Sequence, residues 1–138
     1  MYLQVPHLAV FFGALASFFI GMFWYSPVLF GNIWMKLSGI NQKDVAKTSA
    51  SKMASLMIAN FLATVIFGYV VAFVVQVFTG ATYVDTLLIS TLLWIGFVCV
   101  PSLNRVLWEN SPVRLFILNN SYWLIVTFVV VSIIYYLP

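Results

Sequence analysis

The sequence predicts an all-α protein, a four-helix transmembrane bundle with a short interfacial helix after span 1. Three observations carry that prediction. Only 7% of the 138 residues are charged and the mean hydropathy is +1.08. A soluble domain carries roughly 25% charged residues, so this chain has too little charge to cover a water-facing surface. Stretches without charge run over residues 1–35, 53–84, 86–104 and 115–138, each near or beyond the about 20 apolar residues that cross a bilayer core as a helix. The six Lys and Arg residues all lie in the first and third connections between those stretches.

Span 1 covers about residues 7–26, trimmed by Pro6 and Pro27. Ala14-Leu15-Ala16 resembles a signal-peptide cleavage site, but no basic residue precedes the apolar run and the run continues past it. The segment is therefore expected to stay as a span. Gly13, Ser17 and Gly21 recur every four residues and share one helix face, where another backbone can approach closely. That face suits a dimer seam or packing inside one subunit, and spacing does not choose between them.

After Pro27, the segment "VLFGNIWMKLSGI" gathers apolar residues around Asn32, Lys36 and Ser38. It reads as a short helix lying in the membrane interface and ended by Gly39. The polar segment "NQKDVAKTSASK" reads as a solvated loop whose lysines set topology.

Span 2, residues 54–78, carries Asn60 with Thr64 one turn later and is long enough to tilt or project. Residues 79–85 form the turn into span 3, residues 86–108, and Asp85 is placed to cap its start. Within span 3, Pro101 lacks an N–H and crowds the carbonyl of Phe97, which predicts a kink just before Asn104 and Arg105. Pro112 suits the first turn of span 4, residues 113–136. The whole chain, 1–138, is read as one integral membrane domain.

The distribution of Lys and Arg orients the spans. Lys36, Lys43, Lys47 and Lys52 in loop 1 and Arg105 and Arg114 in loop 3 belong on one side, expected to be the cytoplasm of a multi-pass plasma-membrane protein. Both termini then lie outside. The interface motif Trp24, Tyr25, Ser26, Pro27, Trp108 and Pro112 marks the inner boundary, and Tyr83, Tyr135 and Tyr136 mark the outer one. Nothing in this charge pattern suggests nucleic-acid binding. Cys99 is the only cysteine, so no internal disulfide forms, and its place within a span reads as buried and inert.

The polar residues of the spans form the candidate site. Asn60, Asn104 and Asn119 lie roughly 8–12 Å inside the same boundary at helical rise, with Arg105, Glu109 and Asn120 close by in sequence. Unsatisfied amides in hydrocarbon cost several kcal/mol, so they must find each other, freed backbone near Pro101, or water. Asn119 and Asn120 point in different directions on their helix. Arg105 and Glu109 are one turn apart and can pair, in the weaker order for a helix, although Arg105 suits a helix C-terminal end.

Enzyme chemistry finds poor material. The single histidine, His7, lies on the opposite side from the polar cluster, and no group of residues has metal-ligand or phosphate-loop spacing. No catalytic residue, metal or cofactor is expected, and the lipid bilayer and self-association supply the partners.

One internal echo is visible. "WYSPVLFGN" and "WENSPVRLFILN" both read Trp, Ser-Pro-Val, Phe and Asn, as two hairpin repeats would, or two turns sharing an interface preference for Trp and Pro. Trp24-Tyr25-Ser26-Pro27, Phe30-Gly31, Trp34-Met35, Asn104, Trp108-Glu109, Pro112, Leu115-Phe116, Asn119 and Tyr122 give the chain a resemblance to the family named domain of unknown function 1761. Its members are short, mostly bacterial, multi-span membrane proteins. The resemblance implies four spans and brings no activity and no catalytic residues.

Two functions are therefore expected of such a chain. One is a non-enzymatic membrane protein acting by helix-packed assembly, as a homo-oligomer or accessory subunit. The other is a small oligomeric transporter or channel with a cytoplasm-facing polar vestibule.

Overall fold

The structure, a computed structural model, describes residues 4–78 and 81–137. Its helices are α1 (His7–Trp24), α2 (Gly31–Ser38), α3 (Gln42–Ala46), α4 (Ala50–Val77), α5 (Tyr83–Trp94), α6 (Val100–Trp108) and α7 (Val113–Tyr136), with a π-helical segment Ile95–Cys99 joining α5 to α6. Four helical units are long and apolar enough to cross a membrane: α1, α4, the α5–α6 rod and α7. No strand occurs among the described residues.

Helix ends follow local chemistry. The Ser49 hydroxyl accepts the Lys52 N–H at 3.2 Å, so α4 starts at Ala50, four residues before the apolar run. At the start of α5, Thr82 is the N-cap and Asp85 answers it in a capping box. The Asp85 carboxylate accepts the Thr82 N–H at 3.0 Å while Thr82 Oγ1 accepts the Asp85 N–H at 3.2 Å. Gly39 ends α2 at φ +70°, a conformation open to a residue without Cβ. The segment expected to be a solvated loop instead contains α3, because Asn41 caps it through the Lys43 N–H. Its residues are exposed, as expected of a surface segment.

The helices alternate in direction, which puts all six basic residues at one end of the bundle. His7 of α1 meets Tyr69 of α4 at 2.9 Å. Tyr25, just past α1, meets Asn119 near the start of α7. Tyr83 of α5 meets Ser132 of α7 at 2.7 Å. Helix α7 sits centrally, against α1, α4 and α5, while α1 also packs along α4.

Between helices in lipid there is little hydrophobic driving force, so association depends on close packing. Small residues supply it here. A Cβ on Gly13 would meet Val130 at 3.4 Å, and one on Gly21 would meet the Tyr122 hydroxyl at 2.9 Å. Ser17 is fully buried, and its carbonyl accepts from Tyr122 Oη at 3.4 Å. The Gly13–Ser17–Gly21 face is thus taken up by α7 of the same chain, so it is not free to serve as a dimer seam. A second stripe, Thr64, Gly68 and Ala72, is buried on α4. A Cβ on Gly68 would come within 3.1 Å of Val10. The signal was again an interval of four, spread over a longer helix. Buried Ser17, Thr64, Ser90 and Thr127 hydroxyls each donate to a carbonyl three or four residues back, which keeps them satisfied inside an apolar core.

Pro101 acts through helix winding. Over Ile95–Cys99 the chain takes π geometry, and the Val100 N–H bonds the Ile95 carbonyl five residues back. The wider turn sits where the proline has no N–H to give the Phe97 carbonyl. The large exposed side chains, among them Phe19, Phe23, Ile58, Ile66, Leu88 and Leu92, face outward over the spans.

Candidate functional site

At the basic end, α2, the end of α6 and the start of α7 enclose a cavity of about 440 Å³. Arg105, Glu109 and Asn119 line it together with Trp34, Ser38 and Ser111. Each arrives for a local reason. Arg105 and Glu109 are one turn apart at the end of α6 and form an ion pair of 3.3 Å. Their side chains are 62% and 64% exposed, so the pair contributes little to stability and its groups remain free to meet a ligand. Asn119 is oriented by Tyr25, whose hydroxyl donates to Asn119 Oδ1 at 2.8 Å. Tyr25 is itself held edge-on by Trp34 and Tyr122, with ring centroids 5.2 and 5.3 Å away.

Asn120 turns the other way and joins span 3 to span 4. Its Nδ2 donates to Ser102 Oγ at 2.9 Å and to the Phe116 carbonyl at 2.8 Å. The Ser102 hydroxyl donates to the Cys99 carbonyl at 3.0 Å, and Trp94 Nε1 donates to the Asn120 carbonyl at 3.1 Å. A serine hydroxyl thus reaches the carbonyl at the end of the π segment. Cys99 lies half-buried on the π segment, so the expectation of full burial is corrected.

The common amide layer does not form. Asn60 on α4 and Asn104 on α6 are both exposed, and neither makes a side-chain hydrogen bond among the described residues. Equal depth did not bring them together because depth says nothing about which way a helix is turned. Trp34, Leu37 and Ser38 complete the cavity wall from α2. Their i, i+3, i+4 spacing is the sequence signal, and it is hidden because an interfacial helix is expected to turn its apolar face to lipid. The interface motif divides too. Trp24 packs on Phe30 at 4.6 Å between centroids, whereas Trp108 is 82% exposed.

Apolar spanning helices around a charged pocket at one end define a small helical membrane protein that crosses the bilayer four times. A family model described as a protein of unknown function, DUF1761, matches residues 8–136. The chain belongs to that family. No curated protein and no solved structure matches it.

Proposed function

We propose that the protein acts by helix-packed assembly, as a homo-oligomer or as the accessory subunit of a membrane complex, and catalyses no covalent chemistry. The observation that carries the reading is Asn60. Its side chain is exposed on α4, one turn before the buried Thr64 and eight residues, roughly 12 Å, beyond Lys52 along the helix. An amide facing lipid at that depth is costly unless a neighbouring helix bonds it. Asn104, exposed on α6, asks for the same. The assembly surface is then the exposed parts of α4 and α6 that carry these amides, since α7 already occupies the small-residue face of α1. His7 is engaged with Tyr69 at the end opposite Arg105 and Glu109, which supports the non-enzymatic reading. The clustering of all six positive charges supports a cytoplasmic position for that end, with both termini outside the plasma membrane.

Counting subunits by single-molecule photobleaching in native nanodiscs tests this. The wild-type chain is expected to show more than one copy, and Asn60→Leu with Asn104→Leu to shift the population to single copies. An unchanged stoichiometry in the double variant, or a wild-type chain found only singly, overturns it.

One observation favours a second reading, a small oligomeric transporter or channel with a cytoplasm-facing polar vestibule. Arg105, Glu109 and Asn119 line one cavity, as that reading needs. Solute flux into proteoliposomes that is unchanged by Arg105→Gln and Asn119→Leu removes it.

A further inference from the structure

We propose that the protein holds one membrane phospholipid with a phosphoethanolamine headgroup. Its phosphate lies on Arg105, its ammonium on Glu109, and one acyl chain fills the groove between α4 and the α5–α6 rod. The proposal is independent of the oligomeric reading above.

The groove follows from how the spans pack. Helix α4 and the α5–α6 rod both rest on α7, yet they scarcely touch one another. Between them lies an apolar cavity of about 410 Å³, walled by Val70, Val74, Leu93, Trp94 and Val98 over a floor at Thr127. A second cavity of about 440 Å³ shares Phe67, Phe97 and Val98 with the first and adds Pro101, Ser102 and Trp123. The two polar residues of the first cavity, Ser90 and Thr127, donate their hydroxyls to their own helices. The walls therefore present carbon to whatever lies there. Phe97 is 77% exposed at the rim.

The polar pocket continues the same line toward the basic end. Ser102 and Arg105 are one turn apart on α6, as are Asn119, Trp123 and Thr127 on α7. From Asn119 to Thr127 the path is roughly 12 Å at helical rise, along a face that is polar at one end and apolar at the other. A lipid has that division. Its headgroup belongs at the basic end, where Lys36, Lys52, Arg114 and Trp108 also gather.

Charge complementarity selects the headgroup. The pocket lining carries one cation, Arg105, and one anion, Glu109, both largely exposed and 3.3 Å apart. A lone anionic headgroup would meet Arg105 but face Glu109 repulsively. A phosphoethanolamine satisfies both by opening the ion pair and replacing each partner. Its ammonium N–H groups also find acceptors in Glu109 and the hydroxyls of Ser38 and Ser111, which a quaternary choline would not use.

Native mass spectrometry of the delipidated protein in detergent tests this, with phosphatidylethanolamine, phosphatidylcholine and phosphatidylglycerol of matched chains added in turn. The expected result is one phosphatidylethanolamine retained about tenfold more tightly than the others, the size of one charge-assisted hydrogen bond. Glu109→Gln is expected to abolish that preference. Val98→Trp, which fills the groove, is expected to abolish retention of all three. If Val98→Trp loses its helical circular dichroism, Leu93→Phe replaces it as a smaller obstruction. Equal retention of the three lipids overturns the proposal, as does a preference that survives Glu109→Gln. Soluble phosphoethanolamine binding as tightly as the lipid marks a solute pocket and overturns it too. Retention that survives groove filling overturns the placement of the acyl chain.

Discussion

At its basic end the chain reverses twice through segments that share Trp, Ser-Pro-Val and Phe, and the two copies fold differently. In the first, Trp24 closes α1 and the chain bends tightly before α2. The Gly31 N–H bonds the Ser26 carbonyl at 2.8 Å and the Phe30 N–H bonds the Trp24 carbonyl at 3.0 Å. Gly31 is buried so closely that a Cβ would overlap the Tyr25 carbonyl oxygen and reach the Ser26 carbonyl at 2.7 Å. In the second copy one extra residue, Asn110, takes φ +54°, and Pro112 is the N-cap of a 24-residue helix. Trp108 there faces outward. Asparagine tolerates the left-handed conformation, so the second turn needs no buried glycine. A shared set of letters therefore marks where the chain turns back. The next three residues, Leu-Phe-Gly in one copy and Arg-Leu-Phe in the other, decide whether the turn is packed or open. The hairpins also differ in their connections, since α2 and α3 intervene only in the first.

The largest effect should come from the packed turn. Gly31→Val forces backbone apart, and a loss of about 3 kcal/mol or more is expected, measured as thermal or denaturant unfolding in detergent with Trp fluorescence following the Trp24 environment. A variant as stable as wild type would show that the first turn is as open as the second. The second turn is anchored from within the spans, by Asn120 and Ser102. Asn120→Leu should cost about 1 kcal/mol, the scale of a hydrogen bond between membrane helices. The same unfolding assay checks it, and Ser102→Ala added to Asn120→Leu should then have little further effect. Smallest is Trp108→Ala, expected within about 0.5 kcal/mol of wild type because the side chain lies on the surface. A larger loss for Trp108 in nanodiscs than in detergent would show that its energy comes from the bilayer interface.

Hydropathy is a local property, which is why the four spans, the short helix after the first and the shared end of the six cations were all legible from the residues. Proline and glycine positions told where helices break or approach, and Arg105 with Glu109 was legible from a one-turn interval. Orientation around each helix axis was not. Asn60 and Asn119 are the same residue type at matching depth, yet one is exposed and the other meets Tyr25. That outcome depends on which faces of α4 and α7 are used against α1, and so on packing among residues far apart in the chain. The cavity was legible only in part for the same reason. Arg105, Glu109 and Asn119 stood out as polar residues in apolar surroundings, whereas Trp34 and Ser38 reach them only because Gly31 lets α2 fold back tightly.

By itself, then, the sequence determined that the chain spans a membrane four times and which end is charged, because burial in lipid follows from composition along the chain. Only the tertiary structure decided that α7 takes the small-residue face of α1, that Asn120 and Asn119 serve different neighbours, and that a groove opens between α4 and the α5–α6 rod. The physical reason is that helix packing in lipid rests on close steric fit, which exists only once the helices are side by side.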